Sequence, residues 1–381
     1  MAVIIESEPI AWQPSDNPLT YEFSSDQTGQ PNFSFKVELK INGQTIWTDK
    51  IFPEVSNKAH WDVSSIVRNF ALGPTVSTQL IVDSGTTLTI QVVVTENYGN
   101  PPADQASNSS TVTNVFKSRL SDKEWIDKNF VTQYQGVKWL TDNPANATQA
   151  LRGHDVILSM LVGITQLASV EIRFYDSSNT LLYTENTPAA TNEIWQINCN
   201  TTILASDTSV PDINLVSYIE VEINAPTASD TYTIRYIDDY CFEPVSVLWV
   251  NQYGAFDYFA FEHTNFENGD IKAFDYGKQF GGWDGTSYVY NLNDSGRVDY
   301  YKEIDIKGRA VTEYLEQETQ NWLTRSIKAK GLNHILYKVN GDNYPIRITN
   351  KAYEKKQRRF TDLINEEITF DVTYSDASVL L

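Results

Sequence analysis

FSFKVELKINGQTIWTDKIF, residues 33–52, reads as two strands and the turn between them. Phe33, Phe35, Val37, Leu39 and Ile41 alternate with Ser34, Lys36, Glu38 and Lys40. A period of two puts the apolar side chains on one face and leaves the other face wet. Asn42-Gly43 follows, the strongest short hairpin signal, because a type I′ turn needs positive φ at both central residues. Gln44 to Phe52 returns, and Pro53, with no N–H for the ladder, stops the strand.

Outward from this hairpin, Leu88, Ile90, Val92 and Val94 alternate in a further strand. Asp62 is placed to cap a short helix running to Phe70 and closed by Gly73-Pro74. Residues 1–118 therefore read as a β-sandwich with one helical crossover. A connector, 119–144, carries Ser121 and Glu124 at capping-box spacing. Trp125, Ile126 and Phe130 share a face of the short helix expected there, before a loop through Asn143-Pro144. Residues 145–245 show strands at 154–162, 168–176, 180–186, 193–202, 216–224 and 230–242. Val170, Ile172 and Phe174 alternate with Glu171, Arg173 and Tyr175, and Ser177-Ser178-Asn179 is a turn. Short strands at regular spacing imply a second sandwich.

Residues 246–381 differ. Val247 to Phe261 reads as a hairpin around Gln252-Tyr253-Gly254. Residues 263–300, rich in Gly, Asp and aromatics but without period, read as one long loop, a length that is usually functional or mobile. Thr312 to Ala329 reads as a helix with Leu315, Trp322, Leu323 and Ile327 near one face, and Gly331 as its left-handed terminator. One hairpin turns at Asn340-Gly341. Another pairs 346–353 with 366–374, and its tip carries Lys355, Lys356, Arg358 and Arg359. The expected fold is mainly β: tandem β-sandwich domains, then a β-rich C-terminal α+β domain with one longer helix and long hairpins. No repeat of fixed short period is visible.

The chain has 381 residues, enough for two or three domains at roughly 150 each. Its 41% hydrophobic and 12% aromatic content excludes a disordered polar chain. No apolar run approaches the ~20 residues of a spanning helix, so no membrane insertion is expected. The first residues lack a basic segment and an apolar core, so no secretory signal is expected. The net charge is −20, with a pI near 4.6, which opposes contact with DNA and anionic lipid. The charge is uneven: Tyr301 to Leu381 holds 13 basic and 12 acidic residues, so the excess lies in the first 300.

Few residues are spaced for catalysis. His60, His154, His263 and His334 are scattered, and with Cys199 and Cys241 no pair has metal-ligand spacing. The two cysteines fit either a bridge across a sandwich or two buried thiols. No G-x-S-x-G elbow occurs. Gly281-Gly282-Trp283-Asp284-Gly285 lacks the lysine and setting of a phosphate loop. Asp275 and Asp284 beside Trp283, Tyr288 and Tyr290 would suit a glycosidase or a sugar-binding surface. Asn291-Leu292-Asn293-Asp294 offers oxygen ligands to calcium without EF-hand spacing. Neither a cofactor nor a transition metal is expected.

Five stretches carry a resemblance. They are Asn17-Pro18-Leu19-Thr20-Tyr21-Glu22-Phe23-Ser24-Ser25, His60-Trp61-Asp62-Val63-Ser64-Ser65-Ile66-Val67 and Lys138-Trp139-Leu140-Thr141-Asp142-Asn143-Pro144. Leu248-Trp249-Val250-Asn251-Gln252-Tyr253-Gly254-Ala255-Phe256-Asp257-Tyr258-Phe259 and Tyr344-Pro345-Ile346-Arg347-Ile348-Thr349-Asn350 complete the set. In this order they span nearly the whole chain, which resembles virion structural proteins of phages infecting Bacteroidetes, including the crAss-like group. None is a catalytic motif. The resemblance implies a minor tail or ring component of the tail or neck, located in the virion. Its partners would be copies of itself in a ring and other tail or neck proteins. DNA contact is expected only in a tail lumen.

The assembly contacts expected are Lys355, Lys356, Arg358 and Arg359, facing an acidic patch of another subunit, and the aromatic residues Trp283 and Tyr288. A solvated basic tip is the plainer alternative. At the level of function the alternative is a host-recognition or carbohydrate-binding module of a phage tail or cell surface.

Overall fold

The computed structural model describes residues 3–54, 56–121, 125, 138–162, 169–188, 193–224, 229–238, 243–277, 281–290, 297–338, 341, 343–350, 363–372 and 376–379. The protein is mainly β, built of tandem β-sandwiches and a C-terminal sheet.

In the first sandwich one sheet holds Ile4–Ser7, Thr20–Ser24 and Lys58–Asp62. The other runs Trp12–Pro14, Thr113–Phe116, Thr87–Gly99, Ser34–Ile41 and Gln44–Ile51, with Pro102–Ser109 also on Thr87–Gly99. The alternation of 33–41 is realised: Phe35, Val37 and Leu39 are fully buried among Leu19, Tyr21, Phe23, Val92 and Val94. The hairpin turns at Asn42 and Gly43 with φ of 49° and 79°, as a type I′ turn requires. Asp62 Oδ1 accepts from the N–H of Leu19 at 3.0 Å and of Ser64 at 2.9 Å. The helix that follows is one turn, Ser64–Val67, shorter than expected; its N-cap position is Val63, with no side-chain cap hydrogen bond, so Asp62 stands one residue before the cap and does not fill it.

The second sandwich sets a sheet of Ala147–Leu151, Ser229–Ile237, Tyr218–Asn224, Ser169–Tyr175 and Leu181–Pro188 against one of Ile157–Val162, Glu193–Asn198 and Ile81–Asp83. Val170, Ile172, Phe174, Val221 and Ile234 are fully buried. Two features depart from expectation. Ala147–Leu151 forms an added strand, parallel to Ser229–Ile237. The strand expected to run to 202 ends at Asn198, and Thr201–Asp207 is a helix. Asn200 caps it by accepting from Thr202 N–H at 2.9 Å.

Ile81–Asp83 belongs to the first segment yet completes the second sandwich. A small shared core, Trp12, Phe116, Leu120, Leu140, Leu161, Ile194, Tyr253 and Ala255, also draws on both segments. The chain divides into two compact units. The first is Met1–Ile237 with Val250–Tyr258, and the second Asp238–Trp249 with Phe259–Leu381. Of the connector helix only the Trp125 N–H to Ser121 carbonyl bond, 2.8 Å, lies among described residues.

The largest sheet, whose strands lie mostly in the second unit, has the order Phe256–Phe261, Val245–Val250, Leu332–Lys338, Asn343–Ile348, Glu367–Val372, Arg297–Val311 and Thr264–Gly277. A helix, Gln317–Leu323, continues as a π-helix over Thr324–Lys330. It buries Trp322, Leu323 and Ile327 against Trp249, Phe261, Leu336 and Phe370. The helix begins later than expected because Leu315–Glu316 pairs with Leu363–Ile364 as strand. Gly331 has φ of −67°, so it is not a left-handed terminator. Glycine is required there by space: a Cβ would lie 2.6 Å from the Ser326 carbonyl and 2.8 Å from the Trp249 ring.

The stretch 263–300, expected as a loop, is mostly a ribbon. Thr264–Gly277 pairs antiparallel with Arg297–Val311 along its whole length. The long period-free reading failed because much of this ribbon is wet on both faces, so no alternation of burial is written into it.

Candidate assembly site

Among the described residues, the ribbon and the short hairpin between its strands hold most of the exposed aromatic side chains of the second unit. Arg297–Val311 is anchored at its inner end, where Ala310 is fully buried and Lys307–Val311 pairs with Glu367–Val372. Phe370 is the register partner of Gly308, and its ring occupies the space a side chain there would need. Further out, Thr264–Gly277 exposes Phe266, Ile271, Phe274 and Tyr276. Successive residues alternate between faces. Phe266, Asn268, Asp270, Lys272 and Phe274 share one face. Asn265, Glu267, Gly269, Ile271 and Ala273 share the other.

Ion pairs lace the ribbon. Lys307 Nζ lies 2.6 Å from Asp270, Lys272 pairs with Asp305, and Arg297 lies 3.4 Å from Asp275. Lys338 Nζ lies 2.6 Å from Glu267. The hydrogen bond from Lys307 holds the Asp270 carboxyl below the usual carboxylate range. Exposed pairs of this kind contribute little each, ~0.2–1 kcal/mol, but they fix side-chain positions along the strand.

Between the two ribbon strands, Gly282–Trp283 pairs with Tyr288–Val289 in a small antiparallel hairpin. Trp283 and Tyr288 are direct register partners, so the structure brings together the two aromatic residues singled out from the sequence. Tyr290 stands 5.1 Å from Tyr288, centroid to centroid, edge to face. Trp283 is 68% exposed and Tyr290 66%. The turn is held by Asp284, whose Oδ1 accepts from the N–H groups of Thr286 and Ser287, each at 2.8 Å. The Ser287 and Thr286 N–H groups keep this carboxyl ionised below its ordinary range. Gly281, with φ of 87°, lies under the tyrosines, where a Cβ would come 2.8 Å from Tyr288 and 3.2 Å from Tyr290. The hairpin thus presents three rings, none of them buried.

Both carboxylates singled out beside these rings are already engaged. Asp284 is engaged by its own turn, and Asp275 by Arg297. Among the described residues no group of His, Cys, Asp and Glu could hold a metal ion. No helix is long and apolar enough to cross a membrane, among the described residues. Cys199 is a buried free thiol whose burial pushes its pKa up. Cys241, the calcium-like turn 291–294 and the basic tip with Lys355, Lys356, Arg358 and Arg359 lie outside the described residues. Sequence reasoning weighed Gly281 only as part of a phosphate loop, not as the residue under the tyrosines, and missed the ribbon residues Phe266, Ile271, Phe274 and Tyr276. The signal for the small hairpin was the turn composition Asp284-Gly285-Thr286-Ser287 between two aromatics.

No protein-family model matches the chain, and no curated protein matches it. Among solved structures, domains A168–A170 of titin share 10% identity over 81% of this chain and 93% of that one, with a TM-score of 0.23. Extracellular domains 3–5 of Drosophila OTK share 10% identity over 80% and 92%, with a TM-score of 0.21.

Proposed function

We propose that the chain is a non-enzymatic structural component of a bacteriophage particle, a tail or neck ring or minor tail protein that oligomerises and docks other tail proteins. The observation that carries this reading is the ordered ring cluster of Trp283, Tyr288 and Tyr290 with its exposed ribbon. Aromatic side chains in the open are costly to a free chain and are favoured anchors at interfaces. The resemblance of five stretches to virion proteins supplies the particle. The uneven charge supports it: opposite patches on one subunit suit heterologous contacts, which close rings.

Mass spectrometry of purified particles, with cryo-electron microscopy of tail and neck, tests the reading. Stoichiometric presence of the chain with Trp283 and Tyr288 covered by a neighbour is expected. Absence from particles overturns it. The same three rings also favour a second reading, a carbohydrate-binding module, since sugars stack on aromatic faces. Under that reading the purified chain binds glycans, and Trp283→Ala abolishes binding without affecting any assembly.

A further inference from the structure

Thr264–Gly277 ends the sheet: it pairs with Arg297–Val311 on one side and with no other strand among the described residues. Long open edges template pairing with another strand, and proteins blunt them with short length, proline or a bulge. This edge is fourteen residues long, contains no proline, and its one irregularity falls between Phe274 and Asp275. Charge is the remaining guard, and here its placement selects a partner instead of excluding one.

We propose that this edge pairs with the same edge of a second copy, antiparallel and two-fold symmetric, centred on Ile271. In a continuous sheet, residues opposite each other share a face, so the allowed registers move the centre one residue at a time. Centred on Ile271, Asp270 of each copy faces Lys272 of the other. Ile271 meets Ile271, Gly269 meets Ala273, and Phe266 meets Tyr276. Moving the centre to residue 270 sets Asp270 against Asp270, and moving it to 272 sets Lys272 against Lys272. No other same-face register puts Lys272 opposite a carboxylate of the strand.

The ion pairs already in place extend this pattern. Lys307 holds Asp270 and Asp305 holds Lys272. Across the joint the order becomes Lys307, Asp270, Lys272, Asp305, alternating in sign over four strands. One kind of like-charged juxtaposition remains, Glu267 with Asp275, repeated by the two-fold at each end of the joint. Each of these carboxylates has its own cation, Lys338 at 2.6 Å and Arg297 at 3.4 Å. Ile271, 67% exposed in the single chain, is covered by its mate. The contact is isologous and closes on itself, so it pairs subunits and does not by itself build a ring. It does not depend on the chain being a virion protein.

The test is symmetric crosslinking of the purified full chain in a Cys241→Ser background, with Cys199 left buried. Opposed Cα atoms of an antiparallel pair lie within disulfide reach. Under mild oxidation Ile271→Cys should give a covalent dimer in high yield. Phe266→Cys alone should give little, and Phe266→Cys with Tyr276→Cys should restore it. By sedimentation, Lys272→Glu, which sets Glu against Asp270, should weaken dimerisation about tenfold or more, while the monomer, compared at a concentration too low for dimer, loses no more stability than its one exposed pair with Asp305 contributes. A chain that is monomeric throughout, or that crosslinks no better at Ile271 than at Phe266 alone, overturns the proposal. Absence of the chain from phage particles would leave it standing.

Discussion

Lys328 and Glu366 form an ion pair with both side chains almost wholly enclosed, 6% and 7% exposed. Lys328 reaches Glu366 from the π-helical segment, and Gln320 Nε2 donates to the same carboxylate at 2.7 Å. The Glu366 N–H donates to Thr312 Oγ1 at 2.8 Å. The pair thus ties the helix to the chain entering the last long strand. Removing one partner leaves a buried charge, which costs ~3–5 kcal/mol. Lys328→Ala should lower the stability of the second unit by that order in denaturant unfolding. Lys328→Met with Glu366→Leu should recover most of it.

Gly308 tests the packing beneath the ribbon. Any side chain there meets the Phe370 ring. Gly308→Ala should destabilise the second unit by ~1–3 kcal/mol, as overpacking does. Gly308→Ala with Phe370→Leu should be less destabilised than the single variant. Equal stability of wild type and Gly308→Ala would contradict the packing described.

Gly281 separates local order from global stability. Gly281→Ala forces a Cβ between the tyrosines at a positive φ. The Trp283 indole resonance should shift or broaden, while the unfolding midpoint of the protein stays within about 0.5 kcal/mol of wild type. A large global loss would mean that the hairpin carries more of the fold than its exposure implies.

Asp284 gives the hairpin a pH dependence of known sign. Its folded carboxyl is lowered by the Ser287 and Thr286 N–H groups. The contribution is present above the unfolded value, ~3.9, and is lost as pH falls through the lowered folded value. The Ser287 amide signal should therefore hold its position at neutral pH and move in acid below about pH 4. In Asp284→Asn that acid transition should disappear.

Legibility followed one-sided burial. Phe35, Val37 and Leu39 could be read because one face is dry, and Asn42-Gly43 because only a few residues accept positive φ twice. The ribbon failed the same test, since Asp270 to Ala273 are exposed whichever way they point. Thr201 and Thr202, β-branched, read as the end of a strand; the cap offered by Asn200 decided for helix. Trp283 and Tyr288 were visible as aromatics. Their pairing depended on how Asp284 folds the four residues between them, a hydrogen-bond geometry that composition does not specify.

The nine residues Val250–Tyr258 belong to the first unit although the second unit flanks them in the chain. Within the first unit they supply Tyr253, fully buried, and Asn251, whose side chain donates to the Leu140 carbonyl at 2.8 Å. Gly254, at φ of 70°, lies against the Lys117 carbonyl with no room for a methyl group. Heredity feels this arrangement. A single genetic crossover near residue 238 would deliver the first unit without part of its own interior, and the second with an orphaned insert. Exchange of one unit with its interior intact therefore takes more than one crossover, with breaks on both sides of residues 250–258.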